Sequence, residues 1–141
     1  MPPYDDSNIF AKILRGEIPA YTVHDDGATI AFMDMMPQGT GHVLVVPKAP
    51  SRNLLDADPA TLASLMPVVQ KLARATMTAF AADGVTIAQY NEAAAGQSVF
   101  HLHVHVIPRF EGVLLKPHTG AMEKSEILAE GAARIRAALS A

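Results

Sequence analysis

Three of the chain's six histidines lie at alternate positions in the sequence His101-Leu-His-Val-His-Val-Ile-Pro-Arg109. Alternate side chains of an extended strand point to the same face of a sheet. The pattern therefore predicts a strand over residues 101–109, with His101, His103 and His105 in one row and about 7 Å between successive members. The aliphatic residues between them are predicted to face the core.

Three interpretations of this row are open. The histidines could be incidental on a strand face, although a buried face favours Val or Ile and a solvated face has no preference for imidazole. A His-x-His pair could bind zinc or copper, but the chain has no cysteine and no clear carboxylate partner. The third interpretation is chemistry on a phosphoryl group, because imidazole is nucleophilic at neutral pH, leaves readily once phosphorylated and shuttles protons. We favour the third.

The remaining sequence predicts a single α+β domain. Asp58 and Pro59 suit the N-cap and first position of a long helix, and Gly84 suits its C-terminal cap. Asp26-Gly27 between two strand-like runs is typical of a hairpin, so the sheet is expected to be mainly antiparallel. The predicted elements are a short helix over 8–15, strands over 21–24, 28–34, 42–47, 85–91 and 101–109, and helices over 59–82 and 123–139.

The composition excludes several classes of protein. Without cysteine the chain has no disulfide, no thiolate catalysis and no zinc site built on sulfur, and it suits a reducing compartment. A net charge of −3 gives no general attraction for nucleic acid or anionic membranes, so neither is an expected partner. No apolar run approaches the roughly 18 residues that span a bilayer, and the acidic N-terminus is unlike a secretory signal. We therefore expect a cytoplasmic protein.

The histidine row resembles the His-φ-His-φ-His-φ-φ signature of the histidine triad superfamily of nucleotide hydrolases and transferases, where φ is a hydrophobic residue. Further blocks resemble that superfamily in the same order, and are similar to its Hint-like (histidine triad nucleotide-binding) branch. These blocks are Asn8-Ile-Phe-Ala-Lys-Ile-Leu-Arg-Gly-Glu-Ile-Pro19, Ala31-Phe-Met-Asp34, Gly41-His-Val-Leu-Val-Val-Pro-Lys48, and Asn91 with Gly96-Gln-Ser-Val-Phe-His101. The resemblance implies an α+β, HIT-like fold: a five-stranded, mainly antiparallel sheet with a long helix, here followed by a C-terminal helix.

This resemblance divides the chain into three parts. We expect a flexible N-terminal arm over 1–7, a HIT domain over 8–110, and a C-terminal extension with a helix over 111–141. The family forms two-fold dimers through the long helix and an edge strand, so we expect a homodimer.

The resemblance also implies catalytic roles for matching residues. His103 is expected to attack the α-phosphorus of a nucleotide and form a nucleotidyl-histidine intermediate, with no metal or cofactor. His105 would contact the phosphate, and His101 and His42 would orient and polarise His103. Ser98 would hydrogen-bond the leaving group and help to protonate it.

Nucleotide-binding roles follow in the same way. Asp34 would accept hydrogen bonds from the ribose hydroxyls. The expected phosphate contacts are Asn91, Gly96, Gln97, Ser98 and Val99. The expected base pocket consists of Ile9, Phe10, Ile13, Phe32 and Met35. Plainer readings stay open, since the pocket residues could be ordinary core, the polar ones ordinary turn or loop residues, and His42 a strand-end histidine.

The expected reaction is hydrolysis of a purine nucleoside phosphoramidate or acyl-nucleotide, with release of nucleoside monophosphate. A dinucleoside polyphosphate hydrolase and a non-catalytic nucleotide-binding protein are the two alternatives. The sequence departs from many relatives at Asn8, Ala11 and Pro50, where those relatives carry zinc ligands, so no structural zinc is expected. His24 and His118 lie outside the motif and are expected at the surface.

Overall fold

The computed structural model describes residues 1–118 and 120–141. It contains three α-helices: α1 (Ile9–Leu14), α2 (Pro59–Phe80) and α3 (Ser125–Ser140). It contains five strands: β1 (Thr22–Asp25), β2 (Thr29–Met33), β3 (Val43–Pro47), β4 (Gly84–Ala88) and β5 (Val104–Arg109). None of the helices in these ranges combines the length and the apolar character that crossing a membrane requires.

All five strands pair antiparallel, in the order β1-β2-β3-β5-β4. Asp26, Gly27 and Ala28 connect β1 to β2, and the N–H groups of Ala28 and Thr29 both donate to the Asp26 carboxylate. The expected α+β architecture, with a five-stranded antiparallel sheet, a long helix and a C-terminal helix, is therefore confirmed.

The two faces of the sheet carry two separate hydrophobic clusters. On one face, β3 and β5 pack against α2 through residues such as Val45, Val106 and Leu72, while α3 packs on α2, β1 and β2. On the other face, Phe10 of α1 packs with Phe32 and with further residues of β2 and β3. The side chains of residues 102–106 alternate between these faces, so Leu102, Val104 and Val106 enter the first cluster and His103 and His105 lie on the opposite face.

The predicted strand over 101–109 is too long at its start, because β5 begins at Val104. The ladder pairs of β5 stop at Val104 opposite Val45 of β3 and at His105 opposite Ala88 of β4, so residues 101–103 lie outside the paired part of the sheet. The Leu102 N–H instead donates to the carbonyl oxygen of Ser51 at 2.9 Å.

The long helix α2 begins as predicted, with the Asp58 carboxylate accepting a hydrogen bond from the Ala60 N–H and with Pro59 at the first turn. The predicted C-terminal cap at Gly84 is wrong. The helix is closed by Ala81 in the left-handed conformation, at φ 49°, and Gly84 is the first residue of β4. The Asp83 N–H already donates to the carbonyl oxygen of Arg109 in β5 at 2.9 Å, so hydrogen bonding to the sheet begins before residue 84.

Candidate active site

Four buried histidines lie together where β3 and β5 meet. His105 pairs with Leu44 of β3 and Ala88 of β4. The rings of His103 and His105 have centroids 5.0 Å apart, and those of His42 and His105 are 5.1 Å apart. The alternation of the chain thus brings the imidazoles into one group.

His103 has one nitrogen bound and one available. Its Nδ1–H donates a short hydrogen bond of 2.6 Å to the carbonyl oxygen of His101. A neutral imidazole that donates through Nδ1 carries a lone pair on Nε2. The edge of the ring is held against Phe10, with centroids 4.8 Å apart. His103 therefore has the tautomer that a nucleophile acting through Nε2 requires.

The hydrogen bonds of His42 determine the tautomer of His105. The Gln38 N–H donates to His42 Nδ1 at 3.0 Å, so His42 carries its proton on Nε2. That Nε2–H donates to His105 Nδ1 at 2.8 Å. A neutral His105 must then carry its own proton on Nε2, which is buried and has no partner. His105 therefore offers an unused donor.

His101 lies behind the row and holds it in place. Its Nε2–H donates to the Pro47 carbonyl at 2.8 Å, and its Nδ1 accepts from the Tyr4 hydroxyl at 2.6 Å. The Asn8 side-chain amide donates to that same hydroxyl. Residues 1–7, expected as a flexible arm, thus supply a direct contact to the triad.

Burial keeps these histidines neutral. It lowers the pKa of His103 from 6.5 to about 4, against the hydrogen bond to His101 that raises it. Burial, followed by the charges of neighbouring histidines, lowers the pKa of His42 to about 3 and that of His105 to about 2. The pKa of His101 is lowered by burial as well. At neutral pH these four histidines therefore present lone pairs and N–H donors rather than imidazolium charges.

The row opens onto a cavity of about 300 Å³ between α1, β2 and the chain on either side of the triad. No lysine or arginine is among the described residues that line it. Ten of the predicted site residues are brought together here: Ile9, Phe10, Ile13, Phe32, Asp34, Met35, Ser98, Val99, His103 and His105. The lining combines apolar side chains with imidazoles, so the cavity is amphipathic.

Three of the predicted phosphate contacts do not line this cavity. The Asn91 side chain accepts a hydrogen bond from the Leu54 N–H and exchanges hydrogen bonds with Gln89. Gln97 is buried, and its amide nitrogen donates to Arg52 and Val99. The remaining residue of the three, Gly96, has φ 100° and closes a 3-10 turn that faces Tyr90.

His118 was missed by the sequence reasoning, which places it at the surface. It lines the cavity instead, with its Nε2 3.3 Å from the Ser98 hydroxyl and its ring centroid 5.1 Å from that of His105. It lies in the segment between β5 and α3, whose path depends on tertiary contacts, and no local pattern indicates it. His24, the other histidine expected at the surface, lies beside Asp26, away from the cavity.

Asp34 lies at the edge of the cavity, next to the histidines. One carboxylate oxygen accepts from the Met36 N–H at 2.9 Å, and the other is 3.5 Å from His42 Nε2. Burial raises the pKa of this carboxyl group.

Among the described residues, Asp34, His42 and His105 bring donor atoms within 4.8 Å of one another. Because the two imidazoles bond each other directly through the facing nitrogens, the cluster is a hydrogen-bonded network rather than a ready set of metal ligands.

Comparison with known proteins agrees with this arrangement. The HIT domain model matches residues 15–112. The HIT-like protein of Bartonella henselae involved in cell-cycle regulation has 55% identical residues and a TM-score of 0.93, and the match covers 97% of this chain and 99% of that one. An uncharacterized HIT-like protein of Mycobacterium tuberculosis is 38% identical over 90% of this chain and 88% of its own.

A further relative carries a named activity. The adenylylsulfatase HINT3 of Arabidopsis thaliana is 35% identical over 73% of this chain and 52% of its own length. The family model, these relatives and the histidine row on its antiparallel sheet agree, and the chain belongs to the histidine triad (HIT) superfamily, on its Hint-like branch.

Proposed function

We propose that this protein hydrolyses purine nucleoside phosphoramidates or acyl-nucleotides through a nucleotidyl-histidine intermediate and releases nucleoside monophosphate. The observation that carries the proposal is the tautomer of His103, whose Nδ1–H is held by the His101 carbonyl while Nε2 stays free at a cavity of nucleotide size. A HIT domain and a relative named as an adenylylsulfatase support nucleotide hydrolysis as the class of activity.

The first half of the reaction forms a bond between His103 Nε2 and phosphorus. The nitrogen lone pair attacks, and the bond from phosphorus to the leaving group breaks with its electron pair on the leaving atom. An acyl-nucleotide loses a carboxylate anion, whereas an amine leaves with a proton that Ser98 would help to deliver. The hydrogen bond from Nδ1–H to the His101 carbonyl strengthens as the ring becomes cationic, because a carbonyl oxygen stabilises an N–H that carries positive charge. In the second half water attacks phosphorus, and His103 leaves as neutral imidazole.

The phosphoryl oxygens would be held by donors rather than by cations. The His105 Nε2–H is buried without a partner, and a ligand oxygen placed there removes a cost of about 1–3 kcal/mol for an unpaired donor. Asp34 would accept hydrogen bonds from the ribose, and apolar lining residues, including Ile9 and Phe32, would enclose the base. The net charge of −3 makes this local recognition necessary.

The test compares wild-type protein with His103→Ala on an adenosine phosphoramidate, with mass spectrometry of the quenched reaction. We expect an adenylyl adduct on His103 in the wild type, and loss of turnover in the variant with much of its affinity for AMP retained. His24→Asn is the matched control, because His24 is a histidine that lies away from the cavity. Normal activity in His103→Ala would refute the mechanism.

Two alternatives have their own outcomes in the same experiment. A faster rate on a diadenosine polyphosphate than on the phosphoramidate would favour a dinucleoside polyphosphate hydrolase. Absence of both adduct and product, with AMP still bound, would favour a nucleotide-binding protein without catalysis. Adenylyl sulfate belongs in the same panel, because of the activity named for the Arabidopsis relative.

We also propose that the protein is a cytoplasmic homodimer. Strand β4 lies at the edge of the described sheet, where Ile87 is 43% exposed, and α2 exposes Met66 by 52%. A partner subunit that covered both would remove apolar surface from water. Sedimentation should give the mass of a dimer, and Ile87→Lys should shift it toward the monomer. A wild-type monomer at micromolar concentration would contradict the dimer.

A further inference from the structure

The segment that follows β5 is attached across the edge of the cavity. On one side of His118, the Lys116 N–H donates to the Gln38 carbonyl at 2.7 Å. On the other side, the Glu123 N–H donates to the Met35 carbonyl at 2.9 Å. Both acceptors belong to the loop between β2 and β3, which includes cavity residues. These two bonds hold His118 beside the active site.

The side chain of His118 makes one hydrogen bond and leaves a second nitrogen unused. Its Nε2 lies 3.3 Å from the Ser98 hydroxyl, and its Nδ1 is buried without a partner. The unpaired His105 Nε2 lies on the neighbouring ring. Two unsatisfied nitrogens on adjacent imidazoles at one cavity suit a ligand with several acceptor oxygens.

Departure of an amine from phosphorus requires a proton, because an amide anion is a far poorer leaving group than an amine. The two nitrogens of His42 and the two of His101 are already occupied by hydrogen bonds. Nδ1 of His103 is occupied as well and its Nε2 is the nucleophile, while the proposed function commits the His105 Nε2–H to a phosphoryl oxygen. A serine hydroxyl is not by itself a net source of protons, since losing one would leave an alkoxide. Ser98 therefore needs a neighbour that returns the proton, and His118 is in contact with it.

We propose that His118 supplies the proton of the leaving group through Ser98, and thereby makes this chain suited to substrates with basic, amine leaving groups. This inference rests on the proposed function of the same site. It assigns to the C-terminal extension a part in the reaction, although that extension lies outside the triad.

The proton balance closes over the two half-reactions. As the bond from His103 Nε2 to phosphorus forms, the phosphorus–nitrogen bond breaks and its electron pair stays on the leaving nitrogen. That nitrogen takes the Ser98 proton, and Ser98 takes a proton from the imidazolium form of His118. When water later attacks phosphorus, the bond to His103 breaks, and the proton released by water returns through Ser98 to His118. The net change is phosphoramidate plus water to nucleoside monophosphate plus amine.

The test uses two substrates that share AMP and differ in the leaving group: an alkylamine phosphoramidate and the p-nitrophenyl ester. The p-nitrophenolate anion leaves without a proton, whereas the amine must receive a proton in order to leave. For His118→Asn we expect the rate on the phosphoramidate to fall by about a hundredfold or more, the range of general acid catalysis, while the rate on the ester changes little. Ser98→Ala should show the same selective loss, and the double variant should lose little more than either single variant, because the two residues act as one unit.

His24→Asn is the control, and it should behave as the wild type on both substrates. An equal loss on both substrates in His118→Asn would overturn the proton relay and leave His118 a binding or structural residue. Unchanged rates on both substrates would overturn it as well. A wild-type protein that is inert on both substrates would refute the proposed function itself, and that result is distinct from a loss confined to the variants.

Discussion

The Tyr4 hydroxyl donates a hydrogen bond of 2.6 Å to Nδ1 of His101, across 97 positions of the chain. His101 is 1% exposed, and its other nitrogen is bound to the Pro47 carbonyl. The bond therefore fixes both the tautomer and the orientation of a buried ring whose own carbonyl holds His103.

Replacing Tyr4 by Phe removes this donor and leaves a buried acceptor unpaired. We expect the free energy of unfolding to fall by about 1–3 kcal/mol, measured by urea denaturation. Tyr21→Phe is the matched control, since the Tyr21 hydroxyl takes part in none of the side-chain hydrogen bonds found between described residues. Equal losses in the two variants would show that the bond contributes nothing beyond the hydroxyl itself.

The lowered pKa of His103 predicts how stability depends on pH. In the folded protein its pKa is about 4, and its ordinary value is 6.5. Between these values the unfolded chain binds the additional proton, so stability falls as the pH falls from 6.5 toward 4. The contribution of this residue is up to about 1.4 kcal/mol per pH unit.

Urea denaturation at several pH values between 7.5 and 4.5 measures this dependence. In His103→Asn the slope below pH 6.5 should be smaller than in the wild type. NMR titration of the imidazole offers a direct check, because its shift should stay constant through pH 6.5. A midpoint near 6.5 would contradict the burial that we describe.

Gly41 precedes His42 and is packed against α2. It has φ +77°, and a Cβ at this position would lie 2.5 Å from Cε2 of Phe80. Gly41→Ala therefore combines backbone strain with a clash, each of which costs about 1–3 kcal/mol. Gly16 has the same φ with open space around it, so Gly16→Ala isolates the strain. Thermal or urea unfolding should show the larger loss for Gly41→Ala, and equal losses would exclude the clash.

Ile9 is 44% exposed and lines the cavity. A nucleotide base enclosed there would cover this side chain, so Ile9→Ser should weaken AMP binding by about 1 kcal/mol, or about fivefold in Kd. Ile127→Ser is the control, because Ile127 is 49% exposed on α3 and does not line this cavity. Calorimetric titration with AMP measures both. An unchanged Kd in Ile9→Ser would place the base elsewhere.

The parts of the fold that were predictable from sequence are those set by local periodicity. Val104 and Val106 enter the core and His103 and His105 lie on the other face because a strand repeats every two residues. Asp58 caps α2 because its carboxylate can reach an N–H two residues later without help from the rest of the fold.

What could not be predicted depends on contacts between distant segments. The resemblance to the family implies a phosphate contact for Gln97, but its side-chain amide donates to the carbonyl oxygens of Arg52 and Val99. His118 reaches the cavity because its flanking backbone bonds to the loop between β2 and β3, and neither bond has a signature in local sequence. Strand β5 begins only at Val104 because its pairing with β3 and β4 stops at Val104 and His105, and the Leu102 N–H bonds to Ser51 instead.

The acceptor for the His103 Nδ1–H is a main-chain oxygen. Every amino acid carries that oxygen, so substitution of the side chain at position 101 leaves it available. The path of the backbone thus sets the orientation of the His103 ring. The hydrogen bond between His42 and His105, in contrast, requires two particular side chains. Substitutions at position 101 should therefore change the packing around His103 before they change the orientation of the His103 ring.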